Sequence, residues 1–135
     1  MIYRYGEDYP TQCPPEEAIP PENLVLYRAC CEEIVVDGVL NSNNFVPVWE
    51  QRNRKFPPHA ECGAKAISFN ENKNKLRNTM IDHPKLGEKM ISVKLNERCG
   101  VILKDGKYHF NLWDYSNPNL ISAIGIDWEE VVFNG

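Results

Sequence analysis

The chain has 135 residues, of which 42% are hydrophobic and 25% are charged. This length fits one globular domain that buries a core without metal or disulfide staples. Its 15 basic and 19 acidic residues give a net charge of −4, so bulk electrostatics supplies no general attraction to nucleic acid or to an anionic membrane.

The sequence also bears on where the protein resides. No apolar stretch approaches the roughly 20 residues needed to cross a bilayer, and residues 1–8 lack the basic and apolar regions of a signal peptide. The five cysteines are an odd number, and Cys30 and Cys31 are adjacent, which is a poor framework for the disulfides of a secreted domain. We therefore expect a cytoplasmic protein without a membrane partner, whose thiols are reduced.

Proline and glycine mark the first elements. Half of the ten prolines lie between Pro10 and Pro21, and because proline fixes φ and lacks a backbone donor, residues 1–22 are predicted to form an extended arm packed on the domain. Residues 23–30 follow this segment as a short, β-prone strand. Asp37-Gly38 lies between two apolar runs, which predicts a two-residue hairpin turn because both central residues adopt positive φ.

The middle of the chain predicts the main helix. Residues 46–49 are interpreted as an edge strand and residues 50–63, which lose periodicity, as a loop. Residues 64–68 predict a short strand. Ser68 and Glu71 then form a capping-box pattern, so we expect a helix over about residues 69–82 that ends before Pro84.

The last third predicts a β-meander. Strands are expected over residues 90–95, 101–103, 108–113 and 121–128, with a second hairpin turn at Asp105-Gly106. Because no βαβ alternation is present, the sequence predicts an α+β fold in one domain over residues 1–135. A mostly antiparallel sheet of about five to seven strands packs against one main helix, with the Pro-rich arm at the N-terminus.

Metal binding and thiol chemistry are the first candidate activities. His59 and Cys62 lie three positions apart and are both zinc ligand types, but a site would need two more ligands from elsewhere in the fold, and we expect a polar loop there instead. Cys62 or Cys99 could act as a nucleophile with His109 as its base. Structural burial of these thiols is the favoured interpretation.

A nucleotide cleft is the next candidate. Arg28 shares a strand face with apolar neighbours, so it must be paired or must line a cleft if that face is inward. Residues 25–29, Val-Leu-Tyr-Arg-Ala, resemble the opening strand of ADP-ribosyltransferase-like domains. The resemblance covers only this handful of residues and implies that Arg28 holds NAD, that Ser68 follows on a later strand and that a late carboxylate, Glu129 or Glu130, orients the reacting ribose. The structural alternative is a salt bridge from Arg28 to a carboxylate such as Glu32.

Two further groups of residues are candidate binding surfaces. The segment 49–56 interleaves aromatic and basic side chains, which can stack on bases and neutralise phosphates; an acidic protein partner fits the segment as well, and the net acidity of the chain disfavours nucleic acid. Along residues 108–113, alternate positions form a polar and aromatic strand face that could line a ligand pocket. The residues concerned are Trp49, Arg52, Arg54 and Lys55 in the first group and His109, Asn111 and Trp113 in the second.

The leading hypothesis is a small accessory protein of the immunity, inhibitor or defence type, which binds another protein and has neither catalysis nor a cofactor of its own. The alternative is an ADP-ribosyltransferase-like enzyme or a nucleotide-binding domain that uses Arg28. The enzyme hypothesis predicts a deep cleft on which Arg28 converges with His109 or a late glutamate. The binding hypothesis predicts that an internal carboxylate satisfies Arg28, and that an apolar patch is exposed near Trp49 or Trp113.

Overall fold

Six strands form one antiparallel sheet in the computed structural model. The structure describes residues 1–52 and 55–133, without the side chains of residues 51 and 52. The strand order is β6-β7-β4-β1-β5-β8, and β2 and β3 form a separate hairpin. The strands are β1 (Leu24–Cys30), β2 (Val35–Val36), β3 (Val39–Leu40), β4 (Ile67–Asn70), β5 (Lys89–Leu95), β6 (Gly100–Lys104), β7 (His109–Asp114) and β8 (Trp128–Val131); the helices are α1 (Val48–Arg52), α2 (Pro58–Ala64), α3 (Lys73–Asp82) and α4 (Leu120–Ile124). The predicted α+β class, with α3 as its main helix, is confirmed.

One face of the sheet, here called the core face, carries the main hydrophobic core. Leu26 of β1 lies opposite Val93 of β5, and Ile67 of β4 lies opposite Leu112 of β7. The β2–β3 hairpin, Phe45 and α4 cover these side chains. Each fully buried side chain of this kind contributes about 1.5–3 kcal/mol of stabilisation, so this face holds the sheet together.

The opposite face, here called the cleft face, is covered at two ends. Helix α3 packs over the β1 end. At the other end, Trp113 and Val101 pack beneath Tyr3, Tyr9 and residues of α2. The strand residues between these two covers are Tyr27, Ser68, Asn70, His109 and Asn111, and they form the floor of the cavities described below.

Residues 1–22 were predicted to be an extended arm, and the structure gives this segment turns and sheet contacts. Gly6–Asp8 is a short 3-10 helix. Tyr3 bridges to Tyr115, and Ile19 bridges to Ile102 with hydrogen bonds of 2.7 and 3.0 Å. Because Ile102 lies in β6, the outermost strand of the sheet, this bridge pairs backbone groups of a sheet edge that would otherwise be open.

The expectation that the thiols are reduced is wrong for two of them. Cys13 forms a disulfide with Cys62, 49 positions away, and so joins the N-terminal segment to α2. Cys30 and Cys99 are free and buried, whereas Cys31 is free and exposed.

Both predicted hairpin turns are confirmed. Asp37 and Gly38 have φ values of 53° and 82° and connect β2 to β3. Asp105-Gly106 begins the connection between β6 and β7, and the Asp105 N–H donates to the His109 carbonyl over 2.8 Å.

Several predicted boundaries are wrong, because short helices replace what the sequence suggested. The predicted edge strand and loop at 46–63 contain α1 and α2, and Pro58 lies in the first turn of α2, where a missing N–H costs nothing. Helix α3 begins at Lys73 because Asn72, and not Ser68, accepts hydrogen bonds from the first backbone N–H groups. Ser68 belongs to β4.

The predicted last strand is also wrong over most of its length. Residues 120–124 form α4, whose first turn is capped by the Asn119 side chain, which accepts from the Ser122 N–H. Strand β8 begins only at Trp128. Among the described residues, no helix has the length and apolar character needed to cross a membrane.

Candidate functional site: a groove on the cleft face

The largest opening on the cleft face is a cavity of about 570 Å³, here called the first cavity. Its floor comes from β1, β4 and β7, and its walls come from α3, the turn after α3 and residues 46–48. This volume lies within the usual range for sites that hold small molecules, roughly 300–1,000 Å³. The lining includes Tyr27, Ala29, Ser68, Asn70 and His109 on the floor, and Val46, Pro47, Val48, Leu76, Thr79, Lys85 and Leu86 on the walls.

A second cavity of about 460 Å³ adjoins the first. Val48, Ser68 and His109 line both, so the two cavities are neighbours on the cleft face, and the pair is here called the groove. The second cavity lies between α2 and strands β6 and β7, and its lining includes Asn111.

Arg28 positions one wall of the first cavity. Its guanidinium donates from Nε to the Asn44 carbonyl over 2.7 Å, from Nη1 to the Ser68 carbonyl over 2.7 Å and from Nη2 to the Val46 carbonyl over 3.2 Å. These bonds tie the 44–46 segment to β4. Burial lowers the pKa of Arg28 to about 10, so the side chain remains protonated at neutral pH. The predicted salt bridge to Glu32 or another carboxylate is therefore wrong, because the partners of this arginine are three backbone carbonyls.

His109 lies where the two cavities meet. Its Nδ1 is 3.1 Å from the Asp105 carbonyl oxygen, which can only accept a hydrogen bond. In the neutral ring, the proton therefore resides on Nδ1 and Nε2 is left as an acceptor. Asn70 lies opposite His109 in the β4–β7 register, so an acceptor nitrogen and an amide lie side by side at the floor of the groove.

The charges around the first cavity have one sign. Arg28, Lys85 and His109 belong to its lining, and no aspartate or glutamate does among the described residues. A cleft that carries basic side chains and no carboxylate attracts an anion and disfavours a cation.

The residues that the ADP-ribosyltransferase resemblance implies are only partly brought together. Arg28 and Ser68 both line the first cavity. Glu129 lies in β8, opposite Ser92 of β5, and two strands, β1 and β5, separate β8 from β4. Glu129 is absent from the described lining of both cavities, so the expected set of three does not assemble.

The candidate surface at 49–55 is less open than its composition suggests. Trp49 is half-buried, with the Tyr5 ring edge-on at 5.8 Å and Lys65 Nζ 4.8 Å from its ring centroid. Lys55 is exposed. Arg54 and the Arg52 side chain lie outside the part of the chain that the structure describes.

The three residues of the predicted strand face have different surroundings. His109 lines both cavities, Asn111 is 5% exposed and lines the second cavity, and Trp113 is 1% exposed. The Trp113 indole donates from Nε1 to the Cys62 carbonyl over 3.0 Å. Trp113 is therefore a core residue that fixes α2 on the sheet and offers no exposed patch to a partner.

The metal and nucleophile candidates based on Cys62 are wrong, because its sulfur is bonded to Cys13. Cys99 is fully buried, and burial raises the pKa of its thiol. It belongs to the core on the face opposite His109, so the two cannot act as a pair. Within the described ranges, no group of three histidine, cysteine or carboxylate side chains is placed to hold a metal ion.

No family model matches the sequence, and neither the curated proteins nor the solved structures contain a match to it. The function is therefore argued from the groove itself.

Sequence reasoning missed most of the walls of the groove. Tyr27 alternates with Leu26 and Arg28 along β1, and this alternation is a signal that it faces away from the core. Lys85 and Leu76 carry no comparable signal, because they reach the cavity only through the packing of α3 and the turn that follows it.

Proposed function

We propose that the protein binds a small anionic organic molecule, of the nucleotide class, in the first cavity. The observation that carries this proposal is a cavity of about 570 Å³ with mostly apolar walls, three basic side chains and no carboxylate in its described lining. Apolar walls around a few polar groups are typical of small-molecule sites.

The polar groups suit a phosphate or carboxylate. The Lys85 ammonium is an exposed cation at the wall of the cavity. Arg28 uses three of its five N–H groups on carbonyls, which leaves two donors for an anion. Tyr27, Val48 and Leu76 supply apolar surface for the uncharged part of the ligand.

The geometry favours this cleft over a protein-binding patch. The binding hypothesis predicted a carboxylate partner for Arg28 and exposed apolar surface near Trp49 or Trp113. The partners of Arg28 are carbonyls, Trp49 is half-buried and Trp113 is in the core. A protein partner, the accessory role and a cytoplasmic location stay predictions. We propose binding without a catalytic step, because Glu129 does not reach the groove.

The test is thermal unfolding of the full chain with AMP, ATP and NAD, each compared with adenosine, which lacks the phosphate. A ligand at 100 times its dissociation constant stabilises the folded state by about 2.7 kcal/mol, a shift that is readily measured. Lys85→Met should weaken binding of the phosphate-bearing compounds by about 2- to 5-fold, because one exposed ion pair contributes up to about 1 kcal/mol.

Lys73→Met is the matched control, since Lys73 is exposed on α3 and does not line the cavity. Leu76→Glu, which places a carboxylate in the apolar wall, should lower affinity by more than 10-fold. The proposal fails if no phosphate-bearing compound shifts the transition, or if Lys73→Met lowers affinity as much as Lys85→Met does.

A further inference from the structure

The second cavity contains a buried amide with spare hydrogen-bonding capacity. Asn111 is 5% exposed, and its Nδ2 is 3.5 Å from Asp105 Oδ2, at the outer limit of a hydrogen bond. An asparagine amide offers two donors and a carbonyl acceptor. No Asn111 atom is among the described buried polar atoms that lack a partner, so the remaining capacity of this amide is open to the cavity, where water or a ligand can complete its hydrogen bonds.

The surroundings of Asn111 restrict what that group can be. In the sheet register, Asn111 lies between Ser68 of β4 and Leu103 of β6, and all three line the second cavity. Its charged lining residues, unlike those of the first cavity, include both signs, with Lys104 beside Asp105. Much of the remaining lining is apolar, for example Val48 and Leu103, so a neutral group with apolar surface and a polar edge fits better than a second anion.

We propose that the second cavity binds a planar nitrogen heterocycle, such as a nucleobase, whose edge Asn111 recognises by donating from Nδ2 and accepting at Oδ1. A side-chain amide pairs in this bidentate way with adjacent acceptor and donor atoms of a base. This inference rests on the proposed function, because it assigns the base of the same ligand to the second cavity and its anionic group to the first. Val48, Ser68 and His109, which line both cavities, mark the passage between them.

The test uses adenine and purine as probes, titrated into the 15N-labelled, disulfide-bonded chain. Adenine carries an amino donor next to a ring acceptor, and purine lacks the amino group. The Asn111 side-chain amide signals, identified by their loss in Asn111→Asp, should move on adding adenine. Adenine should bind about 3- to 10-fold more tightly than purine, as expected for one additional hydrogen bond.

A glycine substitution tests the same contact in a variant that keeps its fold. A Cβ added at Gly63 would lie 3.5 Å from Asn111 Nδ2, in the space that an acceptor on the base would use. Gly63→Ala should therefore weaken adenine binding by at least 5-fold, while alanine within α2 stabilises the helix. Gly6→Ala is the matched control, because its added Cβ also lies 3.5 Å from a neighbour, Tyr3 Cβ, but away from the cavity.

The inference is overturned if adenine and purine bind equally, if adenine shifts signals of the first cavity and leaves Asn111 unmoved, or if Gly63→Ala binds adenine like Gly6→Ala. The two proposals fail separately. If AMP binding depends on Lys85 and neither AMP nor adenine moves the Asn111 side-chain amide signals, this inference is refuted and the proposed function is retained. If adenine binds at Asn111 and a phosphate adds no affinity, the proposed function is refuted and the base-binding role of the second cavity is retained.

Discussion

Replacing Arg28 by leucine tests whether this side chain fixes the wall of the groove. The change removes three hydrogen bonds to carbonyls, of which those to Asn44 and Val46 are partly buried and the one to Ser68 is exposed. Water can replace the exposed bond. Each of the two buried carbonyls left without a donor costs about 1–3 kcal/mol, and relief from burying the guanidinium offsets part of this. We expect a net loss of about 2–4 kcal/mol.

The assay is equilibrium unfolding in urea, with thermal unfolding as a second measurement. For a chain of this size, 1 kcal/mol shifts the midpoint temperature by roughly 3 °C, so Arg28→Leu should lower it by about 6–12 °C. Arg98→Leu removes an exposed arginine and should change stability by less than about 0.5 kcal/mol. If Arg28→Leu is within 0.5 kcal/mol of the wild type, the carbonyl bonds do not hold this wall and the argument is refuted.

Two further predictions concern the buried carboxylate of Asp114 and the Cys13–Cys62 disulfide. Burial raises the pKa of Asp114 to about 6, against the opposing effect of Arg4, whose Nε is 2.9 Å from Oδ2. The folded state therefore holds this proton more tightly than the unfolded state, and the resulting stabilisation, about 3 kcal/mol, is complete below pH 4 and lost as the pH rises through 6. Urea unfolding at pH 4–7 should show this loss in the wild type and not in Asp114→Asn; parallel curves for the two would contradict the assignment. The disulfide between Cys13 and Cys62 closes a loop of 49 positions. Cys13→Ser, or reduction of the wild type, opens this loop and should lower the free energy of unfolding by up to about 4 kcal/mol, according to the chain-entropy model. Cys31→Ser, at an exposed free thiol, should have no effect, and equal unfolding midpoints with and without a dithiol reductant would show that the bond adds no stability.

The parts of the fold that the sequence predicted correctly depend on local rules. The Asp37-Gly38 turn follows from the backbone that a two-residue hairpin requires, and β5 follows from the alternation of Ile91, Val93 and Leu95. The short helices were missed because five to seven residues give too little periodicity. Pro58 at the start of α2 and Asn119 before α4 were usable signals.

The site was less predictable than the fold, because its residues come from distant parts of the chain. His109 and Asn111 could be placed on one face from their spacing within a single strand. Lys85 and Tyr27 reach the same cavity only when α3 packs on β1. The hydrogen-bond partners of Arg28 were mispredicted for the same reason, since backbone carbonyls of residues 44, 46 and 68 carry no side-chain signal.

The contacts of the first residues with the end of β7 bear on how the chain folds as it is made. The Arg4 N–H donates to the Asp114 carbonyl, and the Ser116 N–H donates to the Ile2 carbonyl, each over 2.9 Å. Ribosomes add about 5–20 residues per second, so residues 2–4 are synthesised roughly 5–20 s before residues 114–116. Residues 2–4 therefore dock late, and until then the indole of Trp113 lacks the cover that Tyr3 provides.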